Sequence, residues 1–461
     1  MSRKELEHAF EGVKDCTSDL MQEAVDEWFE LYFQEEATEE EDSCQRLPAL
    51  IVSKLSRACF GEYEAKSHQV FGQKLLQSLG KVRRKAVQLT LIGGEAWLKP
   101  IPQKDGFVFE VMRRDAVAIF SRNQWGDAED LASARVFWEK GGRYTLVERR
   151  TQMDNGVKIQ NRLFYSKAQS GMGVEVPLSQ SAQCKDLQAE IFLNDIPNLG
   201  LVRLFNEMEN CVDGSLDSVS IYAPAVALIH NINRNEKQLW KEFEHGESRV
   251  FASADLLRRR PSGDSELPKG LFVGLDDDPQ STGLTIYSPQ LRQESFLQRK
   301  KEYLRNLESL IGLKRGLLSE VDSLQRTAAE VTGSSGDYSL TIREIQQIWE
   351  RGVEQAVVIC GKLGKMYGVL HSCEMDFEKD ISICWGDGIL STTETKWQET
   401  LQMVQMGLLK PEIAVAQRFR LPWETQEQQQ MILQRYLPNK TEKESKNATE
   451  NTRTDSRPTE N

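Results

Sequence analysis

Four carboxylates alternate with other residues at Glu374, Asp376, Glu378 and Asp380, just before the apolar segment ISICWGDGIL (381–390), which is typical of a strand. On an extended chain this spacing places several of the carboxylates on one side. Carboxylates grouped in that way could hold a divalent metal ion for hydrolysis. A solvated strand edge explains the same pattern more simply. A soluble metal-dependent α+β hydrolase or nuclease is therefore kept as the alternative hypothesis.

The other residues suited to catalysis or metal binding lack the spacing that such sites need. Asp276-Asp277-Asp278 has neither the alternate ligand positions nor the turn glycine of a calcium loop. The five histidines are isolated, and the eight cysteines contain no Cys-x-x-Cys pair. No phosphate-binding loop, dinucleotide fingerprint or zinc-protease motif occurs. We expect a chain that is not an enzyme and needs no metal or cofactor, with reduced and mostly buried cysteines.

The densest positive segment is Arg299-Lys300-Lys301 with Arg305, followed by Lys314-Arg315. On an isolated chain, such residues are typical of a solvated helix face. In a closed ring of identical subunits each of them is repeated around the axis, so a modest feature of one chain becomes a belt of charge. The formal net charge of -12 argues against tight binding of nucleic acid over a large surface. It is compatible with a protein that lets DNA pass.

The composition is typical of a globular protein with more than one core. Hydrophobic residues make up 39% and charged residues 28% of the 461 positions, a length that favours two or three domains. No run of ~18 apolar residues occurs. The first residues, MSRKELEHAFEG, are polar and amphipathic rather than typical of an export signal. We expect a cytoplasmic location and no membrane segment.

The periodicity of the first half predicts helices followed by a sheet, and hence an α+β fold. Helical spacing covers residues 4–33, 47–60 and 67–84. From Lys85 the pattern alternates, which predicts an antiparallel sheet of five to seven strands over residues 86–167. Its best hairpin turn is the segment 139–143, where Gly141 and Gly142 can take positive φ.

The second half predicts a small β-containing module between two helices. Helical spacing covers 214–243 and 290–311, and the loop-rich segment between them contains possible strands at 249–252, 271–274 and 284–287. Three short helices are predicted at 392–407, 411–419 and 424–436. The polar segment after Pro438 is predicted to be disordered.

The longest helical pattern carries one apolar stripe over residues 338–370. Its members follow one another three or four residues apart: Tyr338, Ile342, Ile345, Trp349, Val353, Ala356, Cys360, Leu363, Tyr367 and Leu370. A helix of this length suggests a molecule with a long axis or a large interface, and the stripe would supply the contact between neighbouring subunits. Gly333 and Gly336 are where we expect a kink.

Three segments carry motifs of a known family. Residues from about Pro289 to Gln346 contain S-P-x-L-R-x-E-x-F, N-L-E-x-L-I-G-L-K-R-G-L-L-S, T-A-A-E-V and Y-S-L-T-I-R-E-I-Q. Residues 85–100 read K-A-x-x-x-x-L-x-G-G-E-A-W-L-K-P, and 214–225 give the weaker G-S-L-D-S-V-S-I-Y-A-P-A. Together with the order of elements, these segments resemble the portal proteins of tailed bacteriophages, specifically of long-tailed phages of Gram-positive hosts. Aspartates common in that family further along the 214–243 helix are replaced by His230-Asn231 and Asn233.

The resemblance implies a portal-type subunit with an α/β wing, a two-helix stem, a small β-containing clip, a long kinked helix and a helical crown. Mapped onto this sequence, the parts are a wing (1–213 and 327–391), stem helices (214–247 and 290–312), a clip (248–289), a tunnel loop (313–326), crown helices (392–437) and a disordered tail (438–461). Twelve such subunits would form a ring at one capsid vertex of the virion, assembled in the host cytoplasm. The ring would be the channel for DNA packaging and ejection.

The resemblance also implies sites and partners. The candidate DNA-channel residues are Arg299, Lys300, Lys301, Arg305, Lys314, Arg315, Glu320, Asp322 and Arg326. The candidate partner surface on the clip contains Arg258, Arg259, Arg260, Asp276, Asp277 and Asp278. The expected partners are other copies of the chain, the terminase large subunit, a head-completion adaptor, the scaffold and major capsid proteins, and double-stranded DNA passing non-specifically. A non-viral scaffold with a coiled-coil-like arm is a third possibility, and the mass of the particle in solution discriminates among the three.

Overall fold

A computed structural model describes residues 3–10, 12–33, 44–139, 141–168, 171–246, 249–253, 272–275, 285–287, 290–319, 328–385, 393–419 and 426–436. Helices and sheets are mixed along the chain, so the predicted α+β class is confirmed. The chain divides into two compact units, Met1–Gly388 and Ile389–Asn461. The finer assignment to wing, stem, clip and crown stays a prediction.

The helices described in the first unit are α1 (Arg3–His8), α2 (Asp19–Phe33), α3 (Leu47–Cys59), α4 (Val70–Gly93), α5 (Val226–His245), α6 (Gln293–Leu310), α7 (Ala328–Tyr367) and α8 (Phe377–Asp380). The predicted first helix is therefore two helices. Between them the chain turns at Thr17, whose N–H donates to Asp15, and the Ser18 hydroxyl accepts from the N–H of Met21 at the start of α2. Over the described ranges, no helix is long and apolar enough to cross a membrane.

The strands of the first unit are β1 (Glu64–Ser67), β2 (Glu95–Gln103), β3 (Gly106–Arg113), β4 (Val117–Arg122), β5 (Ala128–Glu139), β6 (Gly142–Met153), β7 (Gly156–Ser166), β8 (Val174–Val176), β9 (Glu190–Asn194), β10 (Val202–Phe205), β11 (Arg249–Ser253), β12 (Phe272–Leu275), β13 (Thr285–Tyr287) and β14 (Ile381–Cys384). The three short strands predicted between the two helices are confirmed as β11, β12 and β13. They form one sheet in which β11 pairs with β12 in parallel and with β13 antiparallel.

The strands predicted as one sheet over 86–167 belong to two sheets. One has the order β10-β2-β3, and the larger one has the order β4-β5-β6-β7-β8 with β9 also paired to β7. The predicted hairpin is confirmed, since Glu139 pairs with Gly142 and Gly141 has φ 77°. Gly142 is already part of β6. The strand predicted from 381 is confirmed as β14, which pairs with β1 in a separate two-stranded sheet.

The predicted change from helix to strand at Lys85 is wrong, because α4 continues to Gly93. The last two turns of α4 are buried on nearly all sides, including Ala86, Val87, Leu89, Leu91 and Ile92. A helix that is buried on all sides has no polar face, so its sequence is a continuous apolar run. Periodicity cannot distinguish such a run from a buried strand.

The helix predicted from Gly214 begins only at Val226. Of the preceding residues, 217–222 are buried in an extended and turning conformation against the end of α4. The N–H of Ile221 and the hydroxyl of Ser220 both donate to the carbonyl of Leu91, at 2.9 and 3.0 Å. The carbonyls in the last turn of a helix lack helical partners, so this segment caps α4 instead of forming a helix of its own.

The apolar stripe of α7 packs into the core of its own chain. Its members from Ile342 to Leu363 are buried, and α7 lies against α3, α4, β2 and β10. Trp349 donates its indole N–H to the hydroxyl of Tyr63 at 3.1 Å. The hypothesis that this stripe supplies a contact between subunits is therefore wrong. Tyr367 and Leu370, the last two predicted members, are exposed, and α7 ends before Leu370.

The cysteines are all free, as expected, but they are not mostly buried. Cys59, Cys184 and Cys360 are buried, whereas Cys16, Cys211 and Cys384 are exposed. Burial raises the pKa of the Cys59 thiol to about 12 and raises that of Cys360 as well, so both behave as small apolar residues.

The second unit contains α9 (Thr393–Gln405), α10 (Pro411–Phe419) and α11 (Gln426–Tyr436), close to the three predicted helices. Ala414, Ala416 and Ile432 are buried among them, and the rings of Phe419 and Tyr436 stack at 5.9 Å. The predicted disordered tail lies outside the described residues.

We expect Gly94→Ala to destabilise the first unit more than alanine at another glycine of positive φ. Gly94 ends α4 with φ 80°, and an added Cβ would lie 2.2 Å from the carbonyl oxygen of Ser218. Gly214, with φ 70° and open space around it, is the matched control, since it shares the cost of positive φ without the clash. Chemical unfolding should show a loss of ~1–3 kcal/mol at Gly214 and a clearly larger loss at Gly94. Equal losses would mean that the approach of Ser218 is not a constraint.

Candidate functional site

Helices α5 and α6 form an antiparallel hairpin around the segment that contains β11–β13. Asn235 donates to the carbonyl of Phe296 at 3.1 Å, and Lys300 pairs with Glu236 at 2.8 Å. Nearer the β-containing segment, Arg292 binds Glu242 through two hydrogen bonds of 3.0 and 2.7 Å. The C-terminal end of α5 thus lies beside the N-terminal end of α6, so the two helices are antiparallel. Four of the six predicted channel residues that the structure describes lie on this α5–α6 hairpin.

The predicted basic residues do not form one uniform surface. Arg299 is exposed and lies over the ring of Tyr303, to whose hydroxyl its Nε donates at 2.9 Å. Lys300 forms an ion pair with Glu236 inside the hairpin and donates a hydrogen bond to Gln45 at 2.8 Å. Arg305, Lys314 and Arg315 are exposed, and Lys301 is half-buried. Lys300 therefore contributes to the stability of the hairpin rather than to an exposed basic face.

Several predicted site residues lie outside the described residues. These are Glu320, Asp322 and Arg326 of the tunnel loop, and Arg258, Arg259, Arg260, Asp276, Asp277 and Asp278 of the clip surface. Gly333 and Gly336 lie within α7, and the helix is continuous across both. A kink at these two glycines stays a prediction.

Large apolar side chains are exposed on the α5–α6 hairpin. Trp240 is 55% exposed and Phe243 46% exposed on α5, three residues apart on one face of the helix, and Leu297 on α6 is 53% exposed. Leu291, beside Gly246 at the end of α5, is also exposed. We call these four residues the hairpin patch. Exposed tryptophan and phenylalanine on a two-helix hairpin are typical of a surface that another protein covers.

Glu308, in the last turn of α6, holds the beginning of the predicted tunnel loop. Its carboxylate is fully buried and accepts hydrogen bonds from the N–H groups of Gly316, Leu318 and Ser319, at 3.1, 2.6 and 2.9 Å. The Ser319 hydroxyl donates to the same carboxylate at 2.9 Å. Lys54 of α3 also donates to the carbonyl of Leu317 at 2.5 Å. The first part of the predicted tunnel loop, residues 313–319, is therefore anchored.

Replacing Glu308 with glutamine should release this anchored turn. The amide places an N–H₂ group among donors that need an acceptor, and a buried donor without a partner costs ~1–3 kcal/mol. Hydrogen exchange in peptides covering 313–319 should therefore become at least ~10-fold faster. Glu302→Gln, an exposed position on the same helix, should leave the exchange unchanged. Exchange in Glu308→Gln equal to that of the unaltered chain would show that the carboxylate does not hold the turn.

A second cluster of charges was not predicted, and it joins two of the motifs. Glu95, the first residue of β2, is fully buried and in contact with Arg114, Arg122 and Arg203. Arg122 and Arg114 also reach Asp217, at 2.5 and 3.5 Å. Glu95 belongs to the motif at 85–100, and Asp217 to the motif at 214–225. We call these five residues the Glu95 cluster.

The charges of the Glu95 cluster are close to balanced. Asp127, which lies at the surface, pairs with Arg203 at 2.8 Å, so three arginines face three carboxylates. Burial by itself raises the pKa of Glu95, but Arg122, Arg203 and Arg114 outweigh it and lower this pKa to about 2. Arg114 is held further by the hydroxyl of Thr17 at 2.7 Å. A buried cluster of ion pairs in which the pKa of Glu95 is lowered is a structural joint rather than a site poised for proton transfer.

The carboxylates at 374–380 occupy a short helix and its approach, not a strand edge. Asp376 caps α8 by accepting from the N–H of Glu378 at 3.1 Å, and it pairs with Lys379 at 2.8 Å. Glu374 pairs with Lys365 at 2.7 Å. Hydrogen bonds from these lysines lower the pKa of both carboxylates. Among the described residues, no group of three or more His, Cys, Asp or Glu could hold a metal ion, and no geometry here favours the hydrolase hypothesis.

A scan against models of protein families found no match, and a search of curated proteins found no sequence similar enough to report.

Proposed function

We propose that this chain is the subunit of a phage portal, a ring at one capsid vertex through which DNA is packaged and ejected. The ring would also be the docking site for the terminase and for head-tail adaptors. The proposal rests on the motif resemblance and on one structural observation, namely a helical hairpin that carries a small β-containing segment between its two helices. In a portal these parts would be the stem and the clip.

The hairpin patch supports the ring. Two helices that expose Trp240, Phe243 and Leu297 leave apolar surface in water, and a neighbouring subunit could cover it. In a ring, each subunit offers one surface to the next subunit and a different surface to the previous one, so the hairpin patch would pack against a different surface of the neighbouring subunit. The hairpin patch, instead of the stripe of α7, would supply the contact between neighbouring subunits.

The distribution of charge supports weak, non-specific contact with DNA. The chain is acidic overall, with a formal net charge of -12. Among the predicted channel positions that the structure describes, the exposed basic residues are Arg299, Arg305, Lys314 and Arg315. Repeated around a ring, they would form belts that contact phosphates transiently, while the acidic remainder limits adhesion.

Sedimentation of the purified chain over a range of protein concentrations tests the proposal. We expect a closed species whose mass is a large fixed multiple of the 52.6 kDa chain. A discrete multiple that does not grow with concentration indicates a closed ring rather than an open chain of subunits. A monomer or dimer at every concentration, with and without scaffold protein, would contradict the proposal.

A further inference from the structure

The first unit contains a cavity of about 490 Å³ between the β10-β2-β3 sheet and the six-stranded sheet. It lies between β2 and β3 on one side and β5, β6 and β7 on the other, and Leu363 of α7 contributes to its wall. This volume falls in the range of ~300–1,000 Å³ that small-molecule sites use. The cavity is far in sequence from the α5–α6 hairpin, and the proposed portal function gives it no role. We call it the intersheet cavity.

Most of the lining of the intersheet cavity is apolar. The principal apolar residues are Ile101, Met112, Phe137, Leu146, Ile159 and Leu193. The cavity is not sealed, because Arg135, Leu187 and Tyr367 line it and are exposed to solvent. A molecule could therefore enter from the surface and displace water from the apolar wall. Removal of apolar surface from water stabilises the bound state.

A polar row crosses this apolar lining. Ser133, Glu148 and Asn161 are direct neighbours across β5, β6 and β7, and all three line the cavity. Glu148 pairs with Lys99 at 2.5 Å and with Arg150 at 2.7 Å. Burial raises the pKa of Glu148, but Arg150 and Lys99 outweigh it and lower this pKa to about 2. The carboxylate is therefore ionised and already has its counter-charges.

The buried part of the wall offers no unbalanced charge to a ligand. Arg135, the remaining lining cation, is exposed at the surface and donates to Gln183 at 3.1 Å. Glu110, another lining residue, stands opposite Lys99 across β2 and β3, so two carboxylates face Lys99 and Arg150. Arg113 is bound by Asp115. A charged ligand would lose its hydration here without meeting an uncompensated partner, which is costly in an apolar site. The wall therefore selects for uncharged molecules.

Asn161 gives the cavity a hydrogen-bond acceptor that lacks a donor. Its side-chain N–H₂ donates to the carbonyl of Gln188 at 2.8 Å, but its Oδ1 has no hydrogen-bond partner among the described residues. Asn161 is only 5% exposed. A buried acceptor without a donor costs ~1–3 kcal/mol, and a ligand that brings an O–H or N–H would recover that energy.

From these observations we propose that the intersheet cavity is a binding site for an uncharged, mostly apolar small molecule with one hydroxyl or amide N–H that donates to Asn161. The apolar walls supply the affinity and the asparagine supplies the selectivity. The site does not depend on the chain forming a ring.

A matched pair of probes, 2-naphthol and naphthalene, tests the proposal, because the two differ only in a hydroxyl group. Saturation-transfer NMR and equilibrium dialysis against the full chain should show saturable binding of one 2-naphthol per chain and weaker binding of naphthalene. Asn161→Leu should remove most of this preference, by on the order of 10-fold, while the affinity for naphthalene is kept. Thermal unfolding of each variant verifies that it is folded.

Variants that fill the cavity separate this site from adventitious binding to exposed apolar surface. Leu146→Trp and Ile191→Trp add volume to the wall, and either should abolish the binding of both probes. Val136→Trp is the control, since Val136 is an exposed residue of β5 that does not line the cavity. The absence of saturable binding to the unaltered chain would overturn the proposal. Unchanged binding in a folded cavity-filling variant would overturn it equally.

Discussion

Glu95→Ala is expected to lower the free energy of unfolding by about 3–5 kcal/mol, because removal of one partner of a buried ion pair leaves uncompensated charge. Glu95 is fully buried and contacts Arg114, Arg122 and Arg203. Without its carboxylate, three guanidinium groups would share only Asp217 and Asp127. A loss of this size is a large fraction of the stability of an ordinary domain, so part of the variant should accumulate as insoluble protein.

Denaturant unfolding followed by tryptophan fluorescence measures this loss, and Asp127→Asn is the matched control. Asp127 pairs with the same Arg203, but its side chain is 54% exposed. Water can replace an exposed partner, so this variant should lose no more than ~1 kcal/mol. If Glu95→Ala unfolded at the same denaturant concentration as the unaltered chain, the Glu95 cluster would not be a structural joint.

Stability should also depend on pH through Glu95. Its pKa is lowered from 4.5 to about 2, so its stabilising contribution is complete above pH 4.5 and is lost as the pH falls towards 2. Glu95→Gln lacks this contribution at every pH. The difference in free energy of unfolding between the unaltered chain and Glu95→Gln should therefore shrink by about 2 kcal/mol between pH 6 and pH 3. A difference independent of pH would contradict the lowered pKa.

The second large effect is expected at the hairpin patch. The double variant Trp240→Glu, Phe243→Glu should remain folded as a single chain and lose its assembly. Both side chains are about half exposed and contribute little to the core, so their loss costs the isolated chain little. In a ring, each contact between neighbours would instead have to bury two carboxylates without partners. This burial would weaken each interface by several kcal/mol.

Sedimentation at the concentration where the unaltered chain is assembled measures this effect, with circular dichroism to verify folding. Gln238→Glu is the control, because it adds a negative charge to the exposed surface of α5 without removing an apolar side chain. The double variant should sediment as a monomer and the control as the assembled species. Assembly of the double variant would show that the hairpin patch is not part of the contact.

Elements whose signals are local were predictable from the sequence. The strands β11–β13 and the three helices of the second unit follow from short apolar segments bounded by polar or turn residues. The hairpin between β5 and β6 follows from the need for positive φ at its turn, which Gly141 supplies. The hairpin formed by α5 and α6 follows from two amphipathic patterns on either side of one loop-rich segment.

Elements determined by the tertiary structure were not predictable. The sequence at the end of α4 resembles a strand because neighbouring elements cover the helix on nearly every side. The stripe of α7 suggested an interface between subunits because periodicity does not say whether the same chain or another chain covers it. The Glu95 cluster brings together residues as far apart as Glu95 and Asp217. The available signal was local, namely a carboxylate directly after Gly93 and Gly94 at the start of an apolar strand. Such a charge needs a buried partner, but nothing in the sequence names it.

Negative-stain electron microscopy of the purified chain is the most direct test of the central claim that this protein forms a portal ring. The proposal predicts closed rings of uniform subunit number with a central hole wide enough for a DNA duplex, and their disappearance in the Trp240→Glu, Phe243→Glu variant. Uniform compact particles without a central hole, seen at every protein concentration and in the presence of scaffold protein, would contradict it.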